Sequence, residues 1–231
     1  MLLDYAKQCI ELCYLHAVNL HLPVTTIALV EGVALGGGFE SALASNVLIA
    51  TEDAEMGFPE IRFNLFPGMS AYSFLARTCG MLTAEKMILS GVTYSAKELY
   101  DLGIVHHLVE SGNGQKSVEK YIRQHRRSSN GRRALQRVGQ RYHPIDYQEL
   151  TDITKIWVDA ALRLNDRDLR MMARLVKAQS DKMNKQKIRS LIRTKQDRRF
   201  ASEEVTFPLK GWADEIIPFN RRKNLDRRLR N

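Results

Sequence analysis

Three successive glycines, residues 36–38, follow an apolar segment, and Glu40 comes almost directly after them. A glycine-rich turn between a strand and a helix presents backbone N–H groups that can bind an anionic group. A phosphate-binding loop needs Lys and then Ser or Thr after the glycines, where Phe39, Glu40 and Ser41 stand. A dinucleotide fingerprint fails too, because Ser41 occupies the place of its third glycine. The remaining use is an oxyanion hole, in which N–H groups stabilise charge that develops on a carbonyl oxygen.

A second acid, Glu60, lies 20 residues after Glu40, in a segment that contains Pro59. Both acids follow a predicted strand, so we expect their carboxyl groups to converge at one end of a sheet. Such a pair suits proton removal next to a carbonyl, with loss or addition of water at the neighbouring carbon. One carboxylate takes the proton while the other, protonated, assists the hydroxyl that leaves. From these residues alone, solvated surface carboxylates remain the alternative.

The elements that must position these acids are predicted from hydrophobic periodicity. Helical spacing of apolar residues predicts a helix over residues 3–20. Near-continuous apolar runs predict buried strands at residues 25–30 and 46–50, and the small residues between them predict a short helix at 39–44. Residues 51–69 combine charged residues with Pro and Gly, which predicts a polar turn followed by a loop.

Helices are predicted to dominate after that loop. Apolar-rich segments predict helices at residues 70–79 and 83–89, and a basic helix is expected near 116–127. Ser95 followed three residues later by Glu98 is the signature of a capping box that opens a short helix. The apolar residues 104–109 predict a further strand.

Two C-terminal helices are predicted, each carrying a set of apolar residues at helical spacing. Asp146 is expected to cap the first of them, and its predicted face consists of Ile153, Ile156, Trp157, Ala160, Ala161 and Leu164. The predicted face of the second helix consists of Leu169, Met172, Ala173 and Val176.

The positive charge is unevenly distributed along the 231 residues. The chain has a net charge of +9, and residues 181–231 contain 15 basic and 7 acidic residues, which gives +8 and leaves +1 for residues 1–180. The basic tail is predicted to be partly helical or disordered. This asymmetry argues against a nucleic-acid-binding function for the body of the protein.

Composition limits the remaining classes of protein. No apolar run approaches the roughly 18 residues of a membrane helix, and the N-terminus lacks the basic start of a signal peptide. The 3 cysteines are odd in number, which argues against a disulfide framework and indicates a reducing, cytoplasmic compartment. The Cys and His residues show no metal-ligand spacing, so no metal site is expected.

Three segments of the sequence resemble the crotonase (enoyl-CoA hydratase/isomerase) superfamily in order and spacing: "ALVEGVALGGGFE", "NVLIATEDAEMGFPEIRFNLFPGMSA" and "TAEKMILSGVTYSAKELYDLGIV". Within it, "FPEIRFNLFPGMSAYSFLAR" and "ITKIWVDAALRLNDRDLRMMARLVKAQS" resemble the bacterial diffusible-signal-factor synthases. The resemblance implies an α/β fold, the crotonase ββα spiral, followed by C-terminal helices that usually build a trimer. It also implies that the first strands of that spiral, and the loop with a second oxyanion N–H, are missing from an N-terminally truncated sequence.

The resemblance also implies roles for particular residues. Glu40 and Glu60 match the two catalytic glutamates, and Gly37 matches the residue whose N–H binds the thioester oxygen. The implied substrate-binding residues, for which ordinary core packing is the alternative, are Leu35, Gly36, Trp157 and Leu175.

The activity implied is dehydration of a 3-hydroxyacyl carrier-protein thioester and its hydrolysis to a cis-2-unsaturated fatty acid, a quorum-sensing signal. No metal or redox cofactor is implied, because the substrate brings its own CoA or phosphopantetheine. A generic enoyl-CoA hydratase or isomerase is the alternative within the class, and a degenerate, non-catalytic binding protein is the alternative outside it. A nucleic-acid-binding protein is a third and weaker alternative.

The expected organisation has three parts. Residues 1–110 are predicted to form the truncated spiral core, and residues 111–180 a helical region for the acyl pocket and oligomer contacts. Residues 181–231 form the basic tail, for which docking to an acidic carrier protein or to nucleic acid is a hypothesis and a solvated or disordered tail is the alternative.

Overall fold

A computed structural model describes residues 2–197, 209–210 and 216–217, with side chains up to residue 181. The chain divides into two compact units, Met1–Ser180 and Asp181–Asn231. The predicted three-part division stays a prediction. No helix in the described part of the chain is both long and apolar enough to cross a membrane.

The described elements alternate between short strands and helices up to residue 109, and helices follow. The helices are α1 Leu2–Ala17, α2 Gly37–Leu43, α3 Ala71–Cys79, α4 Met81–Ser90, α5 Ala96–Asp101, α6 Gly114–His125, α7 Ser129–Tyr142, α8 Tyr147–Ala161 and α9 Asp166–Asp197. The strands are β1 Ile27–Val30, β2 Val33–Leu35, β3 Val47–Thr51, β4 Glu55–Gly57, β5 Thr93–Ser95, β6 His107–Val109, β7 Leu209–Lys210 and β8 Ile216–Ile217. Short 3-10 helices lie at Asn19–His21, Glu60–Phe63 and Arg126–Ser128.

Two small sheets form the centre of the first unit. One has the strand order β1-β3-β6 and is parallel throughout, and all residues of β3 are buried. The other has the order β2-β4-β5, in which β2 and β4 are parallel and β5 is antiparallel to β4. Continuous apolar runs explain β1 and β3, since a strand covered on both faces does not alternate with polar residues.

Two strands of the second sheet were not predicted. Residues 33–35 were assigned only to the run that leads into the glycines, and residues 55–57 were assigned to a turn and loop. These segments have three residues each, too short for a periodic pattern, and they are stabilised by pairing with each other. The predicted strand at 104–109 is shorter than expected, because only His107–Val109 pairs with β3.

The hydrophobic core lies between the sheets and the helices α3 to α5. Phe39 of α2 stacks on Phe58 just after β4, with ring centroids 4.9 Å apart. The predicted capping box is confirmed: Glu98 N–H donates to Ser95 Oγ at 3.2 Å, and Ser95 N–H donates to Glu98 Oε2 at 2.7 Å. The N–H of Ala96 at the start of α5 also donates to the carbonyl oxygen of Ala54, just before β4, at 2.9 Å.

The C-terminal helices differ from the predictions in orientation. The predicted cap of α8 is confirmed, since Asp146 Oδ1 accepts from the N–H of Gln148. Of the predicted apolar face of α8, Ile156 is 61 % exposed and the other five residues are half-buried. The buried residues of α8 are Leu150, Thr151 and Thr154. Contacts of α8 with α1 and α3, rather than apolar spacing alone, set its rotation.

Two further helices differ from the sequence interpretation. The helix α7 was not predicted, because its sequence is strongly basic and contains two glycines. The predicted last helix is confirmed as α9, and of its apolar residues Met172 is half-buried while Leu169, Ala173 and Val176 are exposed. In the second unit, α9 extends to Asp197 and β7 pairs antiparallel with β8. The rest of the predicted basic tail lies outside the described residues.

Candidate active site

The glycine segment forms a tight turn from β2 into α2. Gly36 has φ of 55° and ψ of −127°, a conformation that favours glycine, and it precedes the first residue of the helix. Its carbonyl oxygen accepts from the N–H groups of Phe39 at 2.9 Å and Glu40 at 3.0 Å. Its own N–H donates to the carbonyl oxygen of Gly57 at 2.9 Å. Gly37, as first residue of α2, has an N–H with no acceptor within the helix, which leaves it available to a substrate oxygen.

Glu40 is a buried carboxyl group in α2, with 2 % of its surface exposed. Its Oε1 accepts from the backbone N–H groups of Met69 at 2.8 Å and Ala71 at 3.0 Å. Burial raises the pKa of Glu40 to about 8; these hydrogen bonds oppose that shift, and the negative charge of Glu60 adds to it. The predicted site residue is therefore a core residue that can hold a proton at neutral pH.

Glu60 opens the 3-10 helix that follows β4. Its Oε1 lies against Gly36 so closely that a Cβ on Gly36 would overlap it. Its Oε2 is buried and has no hydrogen-bond partner in the described structure. Burial raises the pKa of Glu60 to about 7. A partly protonated carboxyl group therefore lies next to the glycine turn.

The pairing of β2 with β4 explains why the two acids meet. The strands are parallel, with Leu35 opposite Gly57, so their carboxyl ends lie at the same edge. Glu40 follows the end of β2 by way of α2, and Glu60 follows the end of β4. The expected convergence is confirmed, but β2 and β4 are not the strands from which it was predicted.

The loop at residues 66–70 completes the site and was missed by the sequence interpretation. Besides donating its N–H to Glu40, Met69 places its Sδ 2.9 Å from where a Cβ on Gly37 would be. Ser70 has φ of 126°, a strained value for a residue other than glycine, and its buried Oγ has no hydrogen-bond partner in the described structure. Buried backbone N–H groups need acceptors, and Glu40 provides one for this loop. In the sequence, only the Pro and Gly residues of the loop hinted at such a role.

The four predicted substrate-binding residues are not equally placed. Leu35 and Gly36 lie at the glycine turn itself. Trp157 on α8 packs its ring directly on Gly68, and Thr154 Oγ1 donates to the Gly68 carbonyl oxygen at 3.3 Å. Trp157 thus reaches the loop that holds Glu40. Leu175 lies in α9 with a half-buried side chain, and no described contact joins it to the glutamates.

No group of three or more His, Cys, Asp or Glu side chains within the described residues could hold a metal ion. The described polar groups at the glycine turn are two carboxyl groups and backbone N–H groups. Carboxyl groups can transfer protons, and backbone N–H groups can stabilise an oxyanion. The expectation that no cofactor is needed stays a prediction.

An α/β body with two buried carboxyl groups beside a glycine turn fits the hydratase and isomerase enzymes that act beside a thioester carbonyl. The sequence profile of the enoyl-CoA hydratase/isomerase family matches residues 5–138, so the chain belongs to this family. The expected crotonase fold is confirmed.

Similar proteins fall in the same family. The chain is 39 % identical over 90 residues to the human mitochondrial methylglutaconyl-CoA hydratase, which covers 39 % of this chain and 26 % of that protein. It is 43 % identical over 83 residues to a probable enoyl-CoA hydratase of Bacillus subtilis, covering 36 % of this chain and 32 % of that one. The chain thus matches about a third or less of the length of these relatives.

The fold is also similar to solved structures. The crystal structure of an enoyl-CoA hydratase from Mycobacterium avium subsp. paratuberculosis superposes with a TM-score of 0.64. The sequence identity is 19 %, and the superposition covers 73 % of this chain and 69 % of the other. At this identity the likeness concerns the fold.

Proposed function

We propose that this chain acts as a lyase on acyl thioesters, with Glu40 and Glu60 as its acid–base pair and Gly37 as its oxyanion donor. The observation that supports this most is the convergence of two buried carboxyl groups at one glycine turn. Their pKa values are raised to about 8 and about 7, close to the pH at which the protein would work. A general acid and base are most effective when their pKa values lie near that pH.

The pair would act by moving one proton in each direction. The ionised carboxylate removes the proton on the carbon next to the thioester carbonyl, and the electron pair moves into that carbonyl. The Gly37 N–H stabilises the oxygen as it becomes negative. The protonated carboxyl then gives its proton to the hydroxyl on the next carbon, the C–O bond breaks, and water leaves. The reverse sequence hydrates an enoyl thioester.

The specific substrate we propose is a 3-hydroxyacyl thioester of an acyl carrier protein. After dehydration, water adds to the thioester carbonyl carbon, the C–S bond breaks, and the thiol leaves with a proton. The product is a cis-2-unsaturated fatty acid, a quorum-sensing signal. Support comes from the resemblance of residues 58–77 and 153–180 to signal-factor synthases, and from the apolar wall that Trp157 adds beside the loop at 66–70.

A second candidate is a hydratase or isomerase that acts on acyl-CoA and releases no acid. The observation that favours it is that the similar curated proteins are named as CoA hydratases. Product analysis separates the two. Free cis-2-enoic acid supports the synthase, and a CoA-bound trans-2-enoyl or 3-hydroxyacyl product supports the hydratase.

The setting we propose is a cytoplasmic homotrimer. Its C-terminal helices would form the contacts between subunits, in line with the exposed Ile156, Leu169 and Val176. The substrate would bring the pantetheine arm, so no resident cofactor is included in the proposal. Mass determination in solution tests the oligomeric state, and a monomer would contradict it.

The test of the acid–base pair is substitution of each glutamate by glutamine. Glu40→Gln and Glu60→Gln keep the size of the side chains, and each is expected to lower turnover by about 10²- to 10⁴-fold. The matched control is Glu52→Gln, an exposed acid on a nearby turn, which should leave turnover unchanged. Rates are measured with 3-hydroxyacyl and enoyl thioesters. If the parent chain turns over substrate and both variants keep full activity, the proposed pair is wrong. If the parent chain itself shows no turnover, the result supports the alternative of a non-catalytic binding protein.

A further inference from the structure

We propose a second binding site, for a small phosphorylated ligand that also donates hydrogen bonds, between the segment before β1 and the helix α7. A cavity of about 750 Å³ lies there, within the range of small-molecule pockets. Its lining residues come from the segment 17–24 on one side and from one face of α7 and residues 143–145 on the other. The glutamates follow the carboxyl ends of strands, whereas this cavity precedes the start of β1. The inference therefore goes beyond the proposed activity.

The helix α7 turns its polar face toward this cavity. Leu135 is 70 %, Val138 is 61 % and Tyr142 is 78 % exposed, although hydrophobic burial favours the reverse orientation. The polar residues that line the cavity from the opposite face are Arg133, Gln136, Arg137 and Gln140. The orientation of this helix therefore makes one wall of the cavity polar.

Two glutamines of α7 fix this orientation by hydrogen bonds to the body. Gln136 Nε2 donates to Thr25 Oγ1 at 2.9 Å. Gln140 Nε2 donates to the carbonyl oxygen of Ala17 at 3.2 Å. The polar face of α7 is thus held against the segment that forms the other wall.

Two buried amide oxygens at this cavity need a hydrogen-bond donor. Asn19 lines the cavity, is only 7 % exposed, and its Oδ1 has no hydrogen-bond partner in the described structure. The Oε1 of Gln136 is buried and lacks a partner in the same way. Leaving a buried acceptor unpaired is unfavourable, so a ligand with N–H or O–H groups would be bound here.

The charge of the lining residues indicates the other half of the ligand. Arg133 and Arg137 lie one helical turn apart on the cavity side, and His21 and His143 also line it. None of the described lining residues is acidic. Paired guanidinium groups match the oxygens of a phosphate group in number and geometry. A phosphate ester with donor groups, such as a nucleotide, meets both requirements.

The experiment is calorimetric titration of the full chain with AMP, using adenosine and inorganic phosphate as the two partial probes. We expect saturable binding of AMP and binding at least about tenfold weaker for each partial probe, since each lacks one recognised group. Arg133→Ala combined with Arg137→Ala should weaken AMP binding at least about tenfold. Asn19→Gly should also weaken it, because it removes the amide oxygen offered to the donor groups of AMP while glycine tolerates the positive φ of 58° at this position.

The matched control is Arg141→Ala, which removes an exposed arginine of the same helix that does not line the cavity. It should leave the affinity for AMP within about twofold. No saturable binding at millimolar AMP would overturn the proposal, as would equal weakening by Arg141→Ala. Loss of AMP binding in Glu60→Gln but not in the arginine variants would place AMP at the glutamate pair, which also overturns it.

Discussion

Glu40 combines a structural contact with a titratable group. Its Oε1 holds the N–H groups of Met69 and Ala71 at the start of α3, in the way an acidic cap does. Its burial nevertheless favours the protonated form, which raises the pKa to about 8. The hydrogen bonds fix the carboxyl group in place, and the raised pKa allows it to exchange a proton near neutrality. A change at this residue should therefore affect both pH-dependent stability and activity.

The stability of the protein should fall as pH rises from about 4.5 to about 8. In that range folded Glu40 keeps a proton that the unfolded chain has released, so the folded state binds more protons and loses stability with rising pH. Glu40→Gln stays neutral, and the melting temperature of this variant relative to the parent should rise between pH 5 and pH 9. The relative gain is on the order of 1 kcal/mol or more.

The control for this prediction is Glu60→Gln. Its melting temperature relative to the parent should stop rising near pH 7, where the Glu60 carboxyl group titrates. Melting is followed by circular dichroism at several pH values. A difference between Glu40→Gln and the parent that does not change with pH would show that Glu40 titrates as an ordinary acid.

Gly36 is needed at its position for two reasons, its positive φ of 55° and the contact with Glu60. Gly36→Ala should lower the free energy of unfolding by about 2 kcal/mol or more, because Ala is strained there and its Cβ displaces the Glu60 carboxylate. The change is measured by urea denaturation.

Gly139→Ala is the matched control, since a Cβ there meets nothing within 4 Å and the residue lies inside a helix. It should raise the free energy of unfolding by about 0.5–1 kcal/mol. Equal effects of the two substitutions would mean that the glycine turn has no special requirement.

At the scale of elements, one ion pair joins α8 to α3 behind the site. Glu149 accepts from Arg77 Nη2 at 2.6 Å and from Ser73 Oγ at 2.6 Å. Partial burial raises the pKa of Glu149, but the bonds from Arg77 and Ser73 outweigh it, so the net shift is downward. This network holds α8 in the rotation that brings Trp157 onto Gly68.

Glu149→Gln should lower the free energy of unfolding by about 1–2 kcal/mol, because it removes one charge from a partly exposed, multiply hydrogen-bonded pair. The control is Lys97→Ala, which breaks an exposed ion pair with Asp101 within one helix and should cost at most about 0.5 kcal/mol. Both are measured as urea midpoints at constant slope. An effect of Glu149→Gln no larger than that of the control would show that the pair does not position α8.

At the scale of the whole molecule, positive charge is concentrated in two places. Residues 181–231 carry +8, and residues 120–145 contain 8 basic and no acidic residues, which also gives +8. The net charge of +1 for residues 1–180 is therefore the sum of a basic stretch and of more acidic segments. The second basic stretch covers the last half of α6 and all of α7, and acidic residues elsewhere in the first unit offset its charge.

Under the hypothesis that the basic tail docks to an acidic carrier protein, deletion of residues 181–231 should weaken binding to that protein at low salt. The physical reason is the loss of eight net charges, and the difference should vanish near 1 M salt, where screening is nearly complete. Binding is measured by titration at low and high salt. Unchanged affinity at low salt would contradict this hypothesis.

The sequence alone was enough to identify the family and to pick out the two acids of the candidate site. The residues around the three glycines, 36–38, match neither a phosphate-binding loop nor a dinucleotide fingerprint, so local patterns excluded both. The position of Glu60 after a further strand predicted that it pairs with Glu40. The long apolar strands and the capping box of α5 were also predicted correctly, because burial and capping depend on neighbouring residues.

The way in which the strands, the loop at residues 66–70 and α7 come together could not be predicted from local sequence patterns. The strands β2 and β4 have three residues each and exist through mutual pairing, which no local pattern reports. The hydrogen bonds from Met69 and Ala71 to Glu40 join residues 29 and 31 positions apart. The inverted orientation of α7 is set by glutamines that reach across the fold. Such contacts depend on the packing of distant segments, so they become visible only once the chain is folded.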